Sequence, residues 1–133
     1  MKKLIIILLS IVSLYSNQSK ELLVDEVEAY FQNGATIIDI RDEYQWKKTG
    51  IIPGSYRLTY NDTKKENNEQ KWLYTLIRLL KDKNGFFILI SSDGEKAKQL
   101  SYKLKKDKKF INGLYLKDGM KAWTDADRKV INF

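Results

Sequence analysis

Apolar residues are distributed along this chain in three patterns, and their order sets out an architecture. Two short runs, Ala35-Thr36-Ile37-Ile38-Asp39-Ile40 and Phe86-Phe87-Ile88-Leu89-Ile90, are nearly continuous and rich in β-branched or aromatic residues. That pattern predicts strands buried on both faces of a parallel sheet. Helical spacing forms the second pattern. Asp25 to Phe31 carries an acidic first turn and apolar residues on one side, ending at Asn33-Gly34. Trp72, Leu73, Leu76, Ile77, Leu79 and Leu80 form a stripe that predicts a core-facing helix over Lys71 to Lys81, stopped at Asn84-Gly85. Ala97, Leu100 and Leu104 predict another helix directly after Ser91-Ser92-Asp93-Gly94-Glu95. Shorter signals add a polar turn of helix with Trp46, a strand over Tyr56 to Leu58, and a strand over Gly113 to Leu116 with a turn running into Trp123. Asn61 to Gln70 reads as a polar excursion. Strands alternating with helices predict an α/β fold, a small central mostly parallel sheet with helices on both faces.

The third pattern is the opening LIIILLSIVSLY, preceded by Met1-Lys2-Lys3. A basic start and an apolar stretch of this length are the marks of a secretory signal, and the stretch is short for a transmembrane span. The expectation is export to a periplasmic or other extracytoplasmic location. Residues 1–16 form a signal segment, either cleaved near Ser16 or retained as an anchor. A linker over 17–20, one domain over 21–127 and a C-terminal tail over 128–133 complete the organisation.

Composition narrows the chemistry. With 133 residues, 43% of them apolar, the chain has material for one core. It contains no Cys and no His, which excludes disulfides, a lipidated N-terminal cysteine, Cys/His metal sites, cysteine nucleophiles and a Ser-His-Asp triad of its own. Carboxylates such as Asp42/Glu43 and Asp125/Asp127 lack the spacing of a metal loop. No metal or other cofactor is implied. The formal charge of +7 becomes +5 without Lys2 and Lys3. The densest basic patch, Lys103, Lys105, Lys106, Lys108 and Lys109, lacks the aromatic and glycine interleaving of a nucleic-acid surface. It reads first as a solvated helix face, and second as a surface for an anionic membrane or an acidic partner.

Three segments, in order and with the second buried run between the last two, resemble the rhodanese-like family. They are Asp39-Ile40-Arg41-Asp42-Glu43-Tyr44-Gln45-Trp46, then Thr49-Gly50-Ile51-Ile52-Pro53-Gly54-Ser55, and finally Leu116-Lys117-Asp118-Gly119-Met120-Lys121-Ala122-Trp123, where Asp118 replaces the first of two glycines. The resemblance extends from about Glu21 to Trp123. It implies a sulfurtransferase-related fold in which Asp39 and Arg41 form a structural pair, and Gly50, Pro53, Gly54, Gly119 and Trp123 are motif residues with structural roles. It also implies that the loop after the second buried strand, Ser91-Ser92-Asp93-Gly94-Glu95-Lys96-Ala97, stands where active members carry a cysteine at a helix N-terminus. There the backbone N–H groups and helix dipole favour a thiolate and its sulfur-laden anions. Gly94, Lys96 and Ala97 match that loop; Ser91 occupies the nucleophile position.

Serine cannot hold a second sulfur atom, and a base to activate it is missing where histidine is absent. Lys96 reads as a surface residue. Ser92 and Glu95 have the spacing of a capping box, while Asp93 and Glu95 oppose an anion in the loop. The leading expectation is therefore a catalytically inactive member that binds a protein partner or a small anion. The alternative is an enzyme working with partner-borne sulfur or altered chemistry in the loop. Membrane contact would come from an uncleaved N-terminus or the lysine patch.

Overall fold

The structure, a computed structural model, describes residues 20–61, 66–108 and 110–133. The signal segment, linker residues 17–19 and Lys109 lie outside the described residues. Five strands form one all-parallel sheet: β1 (Lys20–Leu22), β2 (Thr36–Asp39), β3 (Tyr56–Arg57), β4 (Phe87–Ile90) and β5 (Gly113–Leu116), in the spatial order β1-β5-β4-β2-β3. Five helices alternate with them: α1 (Val24–Gln32), α2 (Glu43–Thr49), α3 (Glu66–Leu80), α4 (Glu95–Lys108) and α5 (Gly119–Asp125). Among the described residues no helix is long and apolar enough to cross a membrane.

The two continuous apolar runs become the adjacent central strands, with Ile37 opposite Ile88 and Ile38 opposite Leu89. Because side chains alternate along a strand, each run feeds two cores at once. Ile38, Phe87, Leu89 and Tyr115 pack beneath α3 and α4 with Trp72, Leu76, Leu100 and Leu104. Ile37, Ile88, Ile90, Leu114 and Leu116 pack against α1 and α5 with Val27, Met120 and Trp123.

Several expectations change in detail. Lys20, read as the last linker residue, opens β1 and pairs with Leu114 of β5. The sheet has no antiparallel strand, although Ile131 of the C-terminal tail makes an antiparallel bridge to Ile51. Residues 62–65 of the expected polar excursion lie outside the described residues; its last part belongs to α3, which runs from Glu66 and ends where Lys81 turns left-handed at φ 63°. Its apolar stripe is narrower as well. Trp72, Leu76 and Leu80 are buried while Ile77 is 42% exposed. The turn before Trp123 is the helix α5.

The strand order positions the site. From β2 the chain moves outward to β3, and from β4 it moves the other way to β5. The connections leaving the carboxyl ends of these two neighbouring strands therefore diverge and leave a crevice, the usual place for a ligand in an open α/β sheet.

The face of α3 can be tested by truncation. Leu76→Ala is expected to lose about 2–5 kcal/mol in urea unfolding, whereas Ile77→Ala should change stability by less than about 1 kcal/mol. Equal costs would mean that α3 is rotated about its axis.

Candidate functional site

Beyond Ile90 the sequence turns polar, and the backbone of β4 passes into a loop that no side-chain pattern could continue as a strand. Ser91 is 2% exposed. Its Oγ accepts the N–H of Ala97 at 3.2 Å, and its carbonyl accepts the N–H of Met120 at 2.8 Å. The Ser92 carbonyl accepts from Lys121 N at 3.1 Å, and Asp93 Oδ1 accepts from Glu95 N at 3.0 Å.

These bonds replace the expected capping box. Gly94, at φ 91°, precedes the first helical residue Glu95, so the third position of α4 is Ala97 rather than Glu95. The side chain able to cap it is Ser91, and Ser92 Oγ instead accepts from Gln45 Nε2. Among the described residues, the N–H groups of Ser92, Asp93 and Lys96 donate to no protein acceptor. The loop therefore keeps unspent donors at a helix start, where the helix dipole adds to their attraction for an acceptor.

Two glycines hold this loop against the start of α5. A Cβ on Gly119 would lie 2.2 Å from the Ser91 carbonyl oxygen, and one on Gly94 would lie 2.8 Å from Asp118 N. Asp118, which stands in place of a glycine, has left-handed backbone at φ 59°. Aspartate tolerates that conformation better than most residues with a Cβ.

The opposite wall is built on Asp39 and Arg41. Asp39 is fully buried at the end of β2 and Arg41 nearly so. The guanidinium Nε and Nη2 donate to the Asp39 carboxylate, the latter at 2.8 Å. The remaining donors reach the Gly50 carbonyl at 2.8 Å, Thr49 Oγ1 at 2.7 Å and, more distantly, the Gln45 carbonyl. All five guanidinium N–H groups are thereby engaged, and Arg41 has no donor left for a ligand. Asp42 and Gln45 do form a reciprocal capping box at the start of α2. Gln45 thus joins the two walls: its backbone belongs to α2, and its side-chain amide reaches Ser92 across the crevice.

Between the walls lies a cavity of about 380 Å³ lined by Arg41, Asp42, Gln45, Tyr60, Ser91, Ser92, Asp93 and Lys96, with Ile40, Thr59 and Asn61 at its edges. Of the residues singled out in the sequence, Arg41, Ser91, Ser92, Asp93 and Lys96 come together here. Gly94 and Ala97 shape the loop from behind. Glu95 is not part of the lining; the hydroxyl of nearby Tyr115 is pushed up to about 12, chiefly by burial and then by the Glu21 carboxylate, with Glu95 adding least. Of the two loop carboxylates, Asp93 is the one that opposes an anion in the cleft.

Gly50, Pro53, Gly54 and Trp123 stand away from the cavity. Gly50 receives Arg41, Gly54 backs onto the Phe31 ring, Pro53 lies half-buried in the loop between them, and the Trp123 indole donates to the Lys129 carbonyl at 2.8 Å. The sequence reading overlooked Gln45, Thr59, Tyr60 and Asn61. The D-x-x-Q spacing of Asp42 and Gln45 was a visible capping signal, and Tyr60 follows the carboxyl end of β3, where such a site is expected.

Comparison with known proteins agrees with this fold. A family model described as a rhodanese-like domain matches residues 23–126. No curated protein matches the sequence. Among solved structures, a thiosulfate sulfurtransferase from Pseudomonas aeruginosa superposes with a TM-score of 0.65 at 19% identity, over 86% of this chain and 20% of its own. A rhodanese-like domain protein from Staphylococcus aureus superposes with a TM-score of 0.59 at 16% identity, over 85% and 99%. A protein of unknown function from Rhodopseudomonas palustris, described as a possible tyrosine phosphatase, gives 0.60 at 20% identity over 85% of each chain. This chain thus spans about a fifth of the Pseudomonas enzyme. At these identities the likeness is one of fold.

Two substitutions test the scaffold of the site. Arg41→Met leaves a buried carboxylate unpaired and is expected to cost about 3–5 kcal/mol; adding Asp39→Asn should recover part of that loss in the same unfolding assay. Gly119→Ala is expected to cost about 2–4 kcal/mol, and Gly34→Ala less. Gly34 also has positive φ, but a Cβ there meets nothing within 4 Å. Similar losses for the two glycine variants would argue against the close approach of loop and helix.

Proposed function

This chain belongs to the rhodanese-like domain family, and from that premise we propose that it is a non-catalytic member, an exported binding or accessory module that does not transfer sulfur by itself. The observation that carries the reading is Ser91. The residue at the carboxyl end of β4, where the family resemblance puts the nucleophile, is buried, has no sulfur, and uses its Oγ to accept the Ala97 N–H. No cysteine or histidine exists elsewhere in the chain to supply a thiol or an imidazole base. The Arg41 guanidinium is spent on Asp39, the Thr49 hydroxyl and the Gly50 and Gln45 carbonyls.

What the cleft retains is recognition. The N–H groups of Ser92, Asp93 and Lys96 offer donors to an acceptor oxygen, a thiolate or another electron-rich group. Asp42 and Asp93 at the rim work against a free anion, while Lys96 works for it. A group presented by a partner protein fits this balance better than a small free anion, because contact around the rim adds to what the N–H groups contribute. The same donors favour one second reading, in which sulfur stays on a partner's cysteine and this domain only holds it. Export rests on the character of residues 1–16.

Sulfur transfer from thiosulfate or mercaptopyruvate to cyanide tests the proposal. The wild-type chain is expected to give no turnover above the uncatalysed rate. Ser91→Cys should gain at most weak activity, and Ser91→Cys/Asp93→Asn should exceed it severalfold, because the second change removes the carboxylate from the cleft while leaving an acceptor for Glu95 N. Robust wild-type turnover would overturn the non-catalytic reading.

A further inference from the structure

The cleft occupies one end of the sheet, and the opposite end carries different chemistry. At the amino ends of the strands, side chains from four segments join into one surface. Lys20 Nζ donates to the Tyr30 hydroxyl at 2.9 Å and lies over the same ring. The Tyr30 ring meets Phe86 at a centroid distance of 6.1 Å. Asn112 Nδ2 donates to the Asn84 carbonyl at 2.6 Å, tying the approach to β5 to the approach to β4, and Lys83 lies over the Phe110 ring. Phe86 is 48% exposed and Ile111 58% exposed on this surface. Ala29, Tyr30, Ala35 and Phe86 wall a mostly apolar hollow of about 310 Å³ beside them.

Charge at this end is one-sided. Among the described residues, Lys20, Lys81, Lys83, Lys106 and Lys108 are exposed there, against the carboxylates of Asp82, Asp107 and Glu26, the last near Lys20. The C-terminal turn of α4 supplies two of these lysines, so the partial negative charge of that helix end does not cancel them. The polypeptide also enters the domain here. β1 begins at Lys20, and the apolar stretch LIIILLSIVSLY lies a few residues upstream.

We propose that this end of the domain lies against an anionic lipid bilayer, with its lysines at the headgroups and Phe86 and Ile111 in the interfacial layer. Scattered exposed apolar residues are ordinary on a soluble protein. Here they coincide with a cation excess and with the point at which an apolar segment joins the domain, the combination that interfacial binding requires. A second copy of the same surface is a poor occupant, since it would set lysine against lysine. In this orientation the cleft, at the carboxyl ends of the strands, opens away from the bilayer. The inference does not depend on the non-catalytic reading of Ser91.

Because the chain has no cysteine, single cysteine substitutions report burial by their reactivity with a maleimide. With the full-length chain bound to vesicles of about one-third phosphatidylglycerol, Phe86→Cys and Ile111→Cys are expected to react roughly tenfold more slowly than without vesicles. Tyr44→Cys should keep its rate, since Tyr44 is 72% exposed at the cleft end. The protection should fall away at high salt and in a chain carrying Lys83→Glu and Lys108→Glu. Unchanged rates at both positions would leave the N-terminal stretch as the sole membrane contact and overturn the proposal. Equal protection on phosphatidylcholine vesicles would remove charge recognition and overturn it too. Protection that appears without vesicles as protein concentration rises would assign the face to a second copy, with the same consequence.

Discussion

The buried ion pair between Asp39 and Arg41 is the interaction on which the rest of the site depends. A carboxylate at the end of a central strand is costly to bury unless its charge is met by a well-placed cation and further hydrogen bonds. Arg41 meets it within two residues, and the guanidinium's remaining donors then fix Thr49 and Gly50. Helix α2, the loop after it and the Asp42/Gln45 cap all follow from that placement. Gln45 in turn reaches Ser92, so a pair buried under one wall sets the position of the other. The ion pair therefore organises the cleft without offering it any charge.

The second constraint is the contact between Gly94 and Gly119. With backbone this close, the loop after β4 has little freedom, and its carbonyls at Ser91 and Ser92 are taken up by the first turn of α5. Among the described residues, the N–H groups of Ser92, Asp93 and Lys96 donate to no protein acceptor, and all three residues line the cleft. The shape of the loop is therefore held by glycines, backbone bonds and the wall built on the ion pair, with the Ser91 hydroxyl adding its bond to the Ala97 N–H.

Much of the fold was legible because its central strands are buried on both faces. Ile37-Ile38 and Phe87 to Ile90 leave no room for an exposed alternative, and the helix stripes between them require the parallel arrangement. Edge elements carried no such mark. β1 is Lys20-Glu21-Leu22 with a single buried residue, and the first turn of α3, Glu66 to Glu69, contains no apolar residue to mark a helix. Ile77 looked like core because a count of apolar positions does not reveal how wide the buried face is. The cap at α4 was misread for a similar reason. Spacing alone suggested Ser92 and Glu95, but the left-handed Gly94 delays the helix by enough to give the role to Ser91. The bond from Gln45 to Ser92 joins residues 47 positions apart, a separation for which the sequence holds no local signal.

The central proposal is that this domain, which has no cysteine, does not take up sulfur covalently by itself. Intact-mass spectrometry of the purified chain after incubation with thiosulfate, without any acceptor, measures this directly. The expected result is an unchanged mass. A stable covalent sulfur adduct that maps by peptide fragmentation to the segment Ser91 to Ala97 would contradict it.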